Sequence, residues 1–332
     1  MRRLAAAIGG IADVVDRWLL LLVVAAAGLG ISWSGPPRAA VAHHGVTIAL
    51  VVLVAAVGLG LPAGAVASAR ADTPRILLAI AGGAVVLPAV AWAASRVVPD
   101  GPLRLGVLAA GVAPSEVASV ALAALAGGMA AGAAAVLMGS TVASVFLAGP
   151  VLHVVAGSGG GFSNTRLLLS LLRIVAAPLA VAALVRWRLP SPMVPLADAA
   201  SSAVGSTAVL VLIWLVSAET HLGSGYLRAG LALLLYLIGS AALAAVLTLG
   251  MSGPRAVSLL LPIAMRDFAI AAGIATAAFG SAAAGALGLY GVLVLLFGAA
   301  TARIARLTAA KPPNAFGPVA ESPPGRQANA SQ

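Results

Sequence analysis

Ten long apolar runs set the limits on what this chain can fold into. An α-helix rises about 1.5 Å per residue, so about 20 apolar residues cross the hydrocarbon core of a bilayer. Hydrophobic residues make up 61% of the 332 residues and charged residues only 8%, whereas a soluble domain is about 25% charged. We therefore predict an all-α polytopic membrane protein with ten transmembrane helices. The predicted spans are 18–33, 46–63, 74–98, 103–126, 129–155, 167–185, 199–218, 226–251, 256–279 and 283–304.

The distribution of basic residues predicts the topology. The formal net charge is +10, but Lys and Arg are spread over short loops rather than along one stripe, which argues against nucleic acid as a partner. An even number of spans places both termini on one side, and that side carries twelve Lys or Arg residues against six on the other. By the positive-inside rule both termini are cytoplasmic. The Arg-, Ala- and Gly-rich composition indicates a bacterial source, and hence the inner membrane and its lipid bilayer.

A glycine-rich joint at 157–164 divides the chain, with five predicted spans on each side. An odd number of spans per half requires any repeat to be inverted in the membrane. Segment 128–133 resembles segment 281–286 at an offset of 153, and the same offset places Pro114 on Asp267. We therefore predict a 5+5 inverted repeat, with the first half at 1–156 and the second at 165–306. The Pro-, Gly- and Ser-rich segment 307–332 is predicted to be a disordered cytoplasmic tail.

Charged residues interrupt two of the predicted spans near their middles. Glu116 lies in span four, and Arg266 and Asp267 lie together in span nine. A charge at mid-bilayer costs about 2.5–3.5 kcal/mol on insertion scales, and such residues usually mark a solute or ion path. We therefore expect the transport site to lie between these two spans.

A proline accompanies each interruption. Pro114 lacks an N–H group and is expected to break span four, which leaves Ser115 and Glu116 at the start of a new half-helix. Pro262 is expected to break span nine in the same way. The N-terminus of a half-helix carries a partial positive charge and free N–H groups, which favour an anion. Two broken helices in corresponding positions of inverted halves are a recurring design of secondary transporters.

The first interruption belongs to a longer motif. It reads Gly111-Val112-Ala113-Pro114-Ser115-Glu116-Val117-Ala118-Ser119-Val120, followed by Leu125-Ala126-Gly127-Gly128, Ser140-Thr141 and Gly149-Pro150. Span two ends in Val57-Gly58-Leu59-Gly60-Leu61 before Pro74-Arg75, and span nine contains Arg266-Asp267-Phe268-Ala269-Ile270-Ala271. In order and spacing these motifs resemble the bile acid:sodium symporter superfamily, which includes the arsenite-efflux permeases. The resemblance implies a core of spans three to five and eight to ten, a panel of spans one, two, six and seven, and broken spans four and nine that cross at the ion sites.

The chain departs from the sodium-coupled members of that family at both breaks. Val120 replaces an oxygen ligand, Glu116 replaces a glycine, and Pro262 replaces an acid, while Arg266 adds a cation. The oxygen donors that remain near the crossing are Ser119, Ser140, Thr141 and Asp267. The sequence therefore leaves sodium and a proton both open as the coupling ion. Glu116 is the candidate proton carrier, because Arg266 is expected to hold its neighbour Asp267 ionised.

Each candidate residue also has a purely structural interpretation. Structurally, Glu116 is a first-turn carboxylate stabilised by the helix dipole, and Arg266 forms an ion pair with Glu116 or Asp267 that holds the crossing together. The alternative is that these residues bind the solute or ion directly. The hydroxyls of Ser119, Ser140 and Thr141 are equally able to bond to carbonyls one turn back in their own helices. His43, His44 and His153 lack ligand spacing, and the chain has no cysteine, so no metal site is predicted.

These observations favour a secondary-active transporter that moves an organic anion or a related small solute by alternating access. An arsenite-type oxyanion efflux permease is the alternative, and a passive channel or an intramembrane enzyme is less favoured. Hydrolase, zinc-protease and Walker motifs are missing from the sequence, so neither catalysis nor a cofactor is indicated. The oligomeric state stays open. The candidate solute- and ion-binding residues are Pro114, Ser115, Glu116, Ser119, Ser140, Thr141, Arg266 and Asp267.

Overall fold

The computed structural model describes residues 18, 21–60, 72–157, 162–218 and 223–309. Within these ranges the backbone is helical apart from turns and one isolated antiparallel bridge between Ser115 and Arg266. The α-helices are α1 Leu21–Ser32, α2 Gly35–Ala42, α3 Gly45–Gly60, α4 Thr73–Ser95, α5 Pro102–Val112, α6 Ala118–Leu125, α7 Ala130–Ala156, α8 Asn164–Arg188, α9 Val194–Ser217, α10 Ser224–Leu247, α11 Gly253–Ala264, α12 Phe268–Phe279, α13 Ser281–Ala284 and α14 Leu287–Ala309, of which α8 contains a π-helical turn.

Six helices are long and apolar enough to cross a membrane, and the number is seven if α2 and α3, which meet at 79°, form one span. Four shorter apolar helices are α1, α5, α11 and α12. Large apolar side chains stay exposed on the outer surface, among them Val154 at 79% and Leu227 at 75%. Such a surface fits lipid rather than water, so the chain is a multi-pass membrane protein. Over the described residues, each predicted apolar run coincides with one or two of these helices.

The helices pack in two groups. Helix α3 packs against α8 and α9, whereas α4, α5, α7, α10 and α11 surround the two breaks together with α6, α12 and α14. The first group holds the helices of predicted spans two, six and seven, and the second holds those of predicted spans three to five and eight to ten. Glycines allow the closest approaches: a Cβ at Gly58 in α3 would lie 2.8 Å from the backbone oxygen of Leu179 in α8, and Gly106 in α5 lies directly against the carbonyl oxygen of Ala283. Small residues of this kind let membrane helices pack backbone to backbone.

Both predicted interruptions are present, but only one lies at its proline. The helix of span four ends at Val112, and Ala113 and Pro114 open the break as expected. Pro262, by contrast, lies inside α11, so the prediction that it breaks span nine is wrong. A proline removes the hydrogen bond of its own N–H, yet the following residues can stay helical. The break comes later, where Met265 adopts an extended conformation with φ −93° and ψ 118°.

Three pairs of helices begin at the same spacing along the chain. Helices α4 and α10, α5 and α11, and α7 and α13 each begin 151 residues apart, at Thr73 and Ser224, Pro102 and Gly253, and Ala130 and Ser281. This spacing is two residues shorter than the offset of 153 predicted from sequence similarity. The joint residues 158–161 and the tail from residue 310 lie outside the described residues, so their predicted character stays a prediction.

Candidate functional site

The two breaks meet as a short antiparallel crossing. The N–H of Glu116 donates to the carbonyl of Met265 at 2.8 Å, and the N–H of Asp267 donates to the carbonyl of Pro114 at 2.9 Å. These two bonds flank Ser115 and Arg266, which oppose each other directly. The pattern is that of a non-hydrogen-bonded antiparallel pair, in which opposite side chains come close on one face.

This register decides which charged side chains can meet. Successive side chains of an extended segment point to opposite faces. Ser115 and Arg266 therefore share one face of the crossing, and Glu116 and Asp267 belong to the other. The two backbone bonds are equivalent, because each break donates one N–H and accepts one at its carbonyl. Glu116 in the first break therefore corresponds to Asp267 in the second. Their separation of 151 residues matches the spacing of the helix starts.

The Arg266 side chain is buried in the protein interior, with only 4% of the residue exposed. Its Nη2 donates to the carbonyl of Ala113, a group that the break has released from the helix. Its Nη1 lies against α4, where a Cβ at Gly83 would be only 3.1 Å away, so the missing side chain of Gly83 makes room for it. Tyr236 and Tyr290 lie close enough to interact electrostatically with the guanidinium, and their rings are 5.9 Å apart. The Arg266 Nε has no protein partner.

The expected ion pair between Glu116 and Arg266 is not formed. Among the described residues, the ion pairs join Arg104 to Asp100 and Arg186 to Asp198. The interpretation of Glu116 and Arg266 as a structural pair is therefore wrong. The physical reason is the register, which places the two side chains on opposite faces of the crossing.

Two carboxylates lie together on the other face. Both are almost completely buried, with Glu116 at 2% and Asp267 at 0% exposure. Asp267 caps helix α12, because its Oδ1 accepts a hydrogen bond from the N–H of Ile270 at 2.8 Å. The Glu116 carboxylate lies near Asp267 and near the N–H groups of Ala118 and Phe268, so it also faces the start of α12. One oxygen of each carboxylate, Oε2 of Glu116 and Oδ2 of Asp267, lacks a protein partner.

The predicted hydroxyl residues surround the crossing but donate to backbone carbonyls. The Ser119 hydroxyl bonds to the carbonyl of Glu116 at 2.5 Å, and the Thr141 hydroxyl bonds to that of Leu137 at 2.7 Å. The structural interpretation of these hydroxyls is confirmed for both.

Ser140 does more than satisfy its own helix. Its Oγ accepts the N–H of Ser115 at 3.0 Å, and it lies 3.0 Å from the Ser115 hydroxyl and 3.0 Å from the carbonyl of Leu137. This network ties α7 to the first break. A backbone N–H that the break has released thereby obtains its partner inside the protein.

Sequence reasoning missed four side chains that complete the crossing. The Ser144 hydroxyl donates to the carbonyl of Val112 at 2.7 Å, and the Ser240 hydroxyl donates to that of Ala264 at 2.8 Å. Val112 and Ala264 are the last residues of α5 and α11, so each broken helix has its final carbonyl satisfied from a neighbouring helix. The other two are the tyrosines Tyr236 and Tyr290. Tyr236 was detectable as a phenol in the middle of span eight, since tyrosines of membrane proteins concentrate at the interfaces.

Two narrow spaces adjoin the crossing. The first is lined by Gly83, Ser140, Ser144 and Arg266 among others and has room for about one water molecule. The second is similarly narrow, is mostly apolar and includes Thr141. In the described part of the chain, no three His, Cys, Asp or Glu residues are grouped as they would be around a metal ion. The lining of the first cleft includes the cationic side chain of Arg266.

Comparison with known families gives one informative match. A family model described as Sodium Bile acid symporter family matches residues 47–229, which is more than half of the chain. The matched range contains the first break, Ser140 and Thr141, and it ends before the second break at Arg266 and Asp267. No curated protein matches the chain.

Proposed function

The chain belongs to the sodium bile acid symporter family, and on that basis we propose that it is a secondary-active transporter of organic anions that works by alternating access in the bacterial inner membrane. Family members are transporters rather than enzymes. The observation that carries the proposal is the crossing of two broken helices, where three ionisable side chains are buried side by side. Irregular backbone and charge are tolerated at membrane depth where protein or a path for a solute covers them.

The architecture proposed for this transporter is ten spans arranged as a 5+5 inverted repeat. Its support is the shared spacing of 151 residues between helix starts and the symmetric bonds of the crossing. Both termini are then cytoplasmic. A reporter fused after Arg326 is expected to read cytoplasmic, and one inserted at 158–163 is expected to read external, because five spans separate the joint from each end. A cytoplasmic reading at the joint would contradict the inverted repeat.

The proposed solute is anionic because the cleft beside the crossing contains a buried guanidinium that no carboxylate neutralises directly. An arginine in this situation is suited to bind a carboxylate or a similar oxyanion. Ser115 lies on the same face of the crossing as Arg266, and Ser140 bonds to Ser115. Ser119 and Thr141 instead bond to backbone carbonyls beside the first break. An organic anion is preferred to arsenite because the chain lacks the cysteine thiolates that soft metalloids favour.

The proposed coupling is independent of sodium and responds to pH. A sodium ion requires several oxygen ligands, and the fixed positive charge of Arg266, buried among the oxygen donors of the crossing, would repel it. The Arg266 guanidinium supplies a permanent positive charge at the crossing and cannot leave it. The buried carboxylates, in contrast, can take up and release a proton.

Counterflow in proteoliposomes tests the transport class. A panel of bile acids, smaller monocarboxylates and arsenite is first screened for the solute that raises the thermal stability of the purified protein. Vesicles loaded with that unlabelled solute are expected to accumulate the labelled solute transiently, because a carrier exchanges the two. Equilibration without any transient excess would indicate a channel, and chemical conversion of the solute would indicate an enzyme.

A further inference from the structure

The buried charges of the crossing do not balance. Arg266 contributes one positive charge, whereas Glu116 and Asp267 together contribute two negative charges if both are ionised. The remaining titratable groups that interact with them are the hydroxyls of Tyr236 and Tyr290, which are neutral at physiological pH. In the described ranges, the helices around the breaks, together with α3 and α9, carry their other charged or imidazole side chains only toward their ends, at Arg75, Arg104, His153, Asp198, Arg228, Arg255, Arg303 and Arg306.

The excess negative charge lies on one face of the crossing, at the two carboxylates. Glu116 and Asp267 share a face of the crossing, Arg266 is on the opposite face, and each carboxylate has one buried oxygen without a protein partner. Two like charges side by side in a low-dielectric interior repel strongly, so they do not both stay ionised. A proton between them removes the repulsion, gives a free oxygen a donor, and makes the crossing electrically neutral.

We propose that Glu116 and Asp267 share a single proton and together form one proton-binding site at the crossing. This goes beyond Glu116 as a lone carrier, because Asp267 lies on the same face of the crossing as Glu116 and is attracted by the Arg266 guanidinium without forming an ion pair with it. The proton enters from the water on one side, forms an O–H bond with a carboxylate oxygen of the pair, and leaves to the water on the other side when that bond breaks. That the site drives solute movement rests on the proposed function; that it binds one proton does not.

The proton itself is visible by infrared spectroscopy of the reconstituted full-length protein, with no solute present. A protonated carboxyl has a C=O stretch that a carboxylate lacks and that shifts in D₂O. The wild-type protein is expected to show one such carboxyl at pH 7.5, because the seven other acidic residues lie outside the crossing. Two protonated carboxyls, or none, in the wild type would overturn the proposal, whatever happens to any variant.

Single substitutions distinguish a shared proton from a proton on one residue. Glu116→Gln and Asp267→Asn each leave one carboxylate to balance Arg266, so each is expected to lose the protonated band entirely at pH 7.5. The control Asp100→Asn, whose carboxylate is 91% exposed and paired with Arg104, is expected to leave the band unchanged. A band that survives in one of the two crossing variants would assign the proton to the other residue alone and overturn the sharing.

The transport measurement is kept separate. If the proposed function holds, both crossing variants should lose at least about tenfold of the accumulation driven by a pH gradient, because no proton is carried, whereas the control Asp100→Asn should keep it. If the wild-type protein shows the shared proton but does not transport any solute of the panel, the proposed function fails and the proton site stands. If transport is pH-driven but the band is absent, the proton site at this pair is wrong.

Discussion

Replacing Arg266 with Gln is predicted to destabilise the protein strongly. The guanidinium is 4% exposed and donates to the carbonyl of Ala113, which has no helical partner because the helix ends at Val112. A buried carbonyl that loses its donor costs about 1–3 kcal/mol. The second contribution is electrostatic, because the substitution leaves Glu116 and Asp267 without the cation that balances them. Removing one partner from a set of buried charges typically costs about 3–5 kcal/mol, and we expect a total near that range because proton uptake relieves part of the repulsion.

The measurement is the free energy of unfolding in mixed detergent micelles titrated with SDS. The matched control is Arg104→Gln, which removes an arginine whose partner Asp100 is exposed, and a surface pair of that kind contributes under about 1 kcal/mol. Adding Glu116→Gln to Arg266→Gln is expected to recover part of the loss, because one carboxylate then remains in place of two. The reasoning is refuted if Arg266→Gln costs no more than Arg104→Gln, or if the second substitution only adds to the damage.

Two further changes test the packing around the crossing by the same unfolding measurement. Gly106→Ala is predicted to lower the free energy of unfolding by about 1–3 kcal/mol, because its new methyl group would meet the backbone of Ala283. The control Gly28→Ala, whose methyl group would have nothing within 4 Å, should be neutral or slightly stabilising. Equal effects of the two substitutions would contradict the close approach of Gly106 to Ala283. Ser140→Ala is predicted to cost about 1–3 kcal/mol because the buried N–H of Ser115 loses its acceptor, and Thr141→Val, which loses one bond within its own helix, should cost under about 1 kcal/mol. Equal losses for these two would show that Ser140 does not hold the first break.

Much of the architecture could be predicted from the sequence, because hydrophobic length and proline chemistry act locally. The ten apolar runs coincide with helices over the described residues, and the family resemblance is confirmed. The break at Pro114 follows from a missing N–H group. The burial of Glu116, Arg266 and Asp267 follows from their positions in the middle of apolar runs.

The partners of those charges could not be predicted, because they depend on how two distant segments align. A shift of one residue in the crossing would bring Arg266 to the face of Glu116 and move Asp267 to the opposite face, and the sequence holds no local signal for that register. Gly83 shows the same limit, since the space it leaves for the guanidinium exists only once α4 packs beside the second break. The extended backbone at Met265 is likewise set by pairing with Glu116 rather than by Pro262.

Ion replacement during transport tests most directly whether this member of the sodium bile acid symporter family moves its solute with protons and without sodium. The measurement is initial solute flux into proteoliposomes in sodium or choline buffer, with and without an imposed pH gradient, for the wild-type protein and Glu116→Gln. We predict equal wild-type flux in the two buffers, faster flux down the proton gradient, and no response to that gradient in the variant. Wild-type flux that stops in choline buffer would show that the crossing contains a sodium site. Wild-type flux that does not respond to the proton gradient would contradict proton coupling.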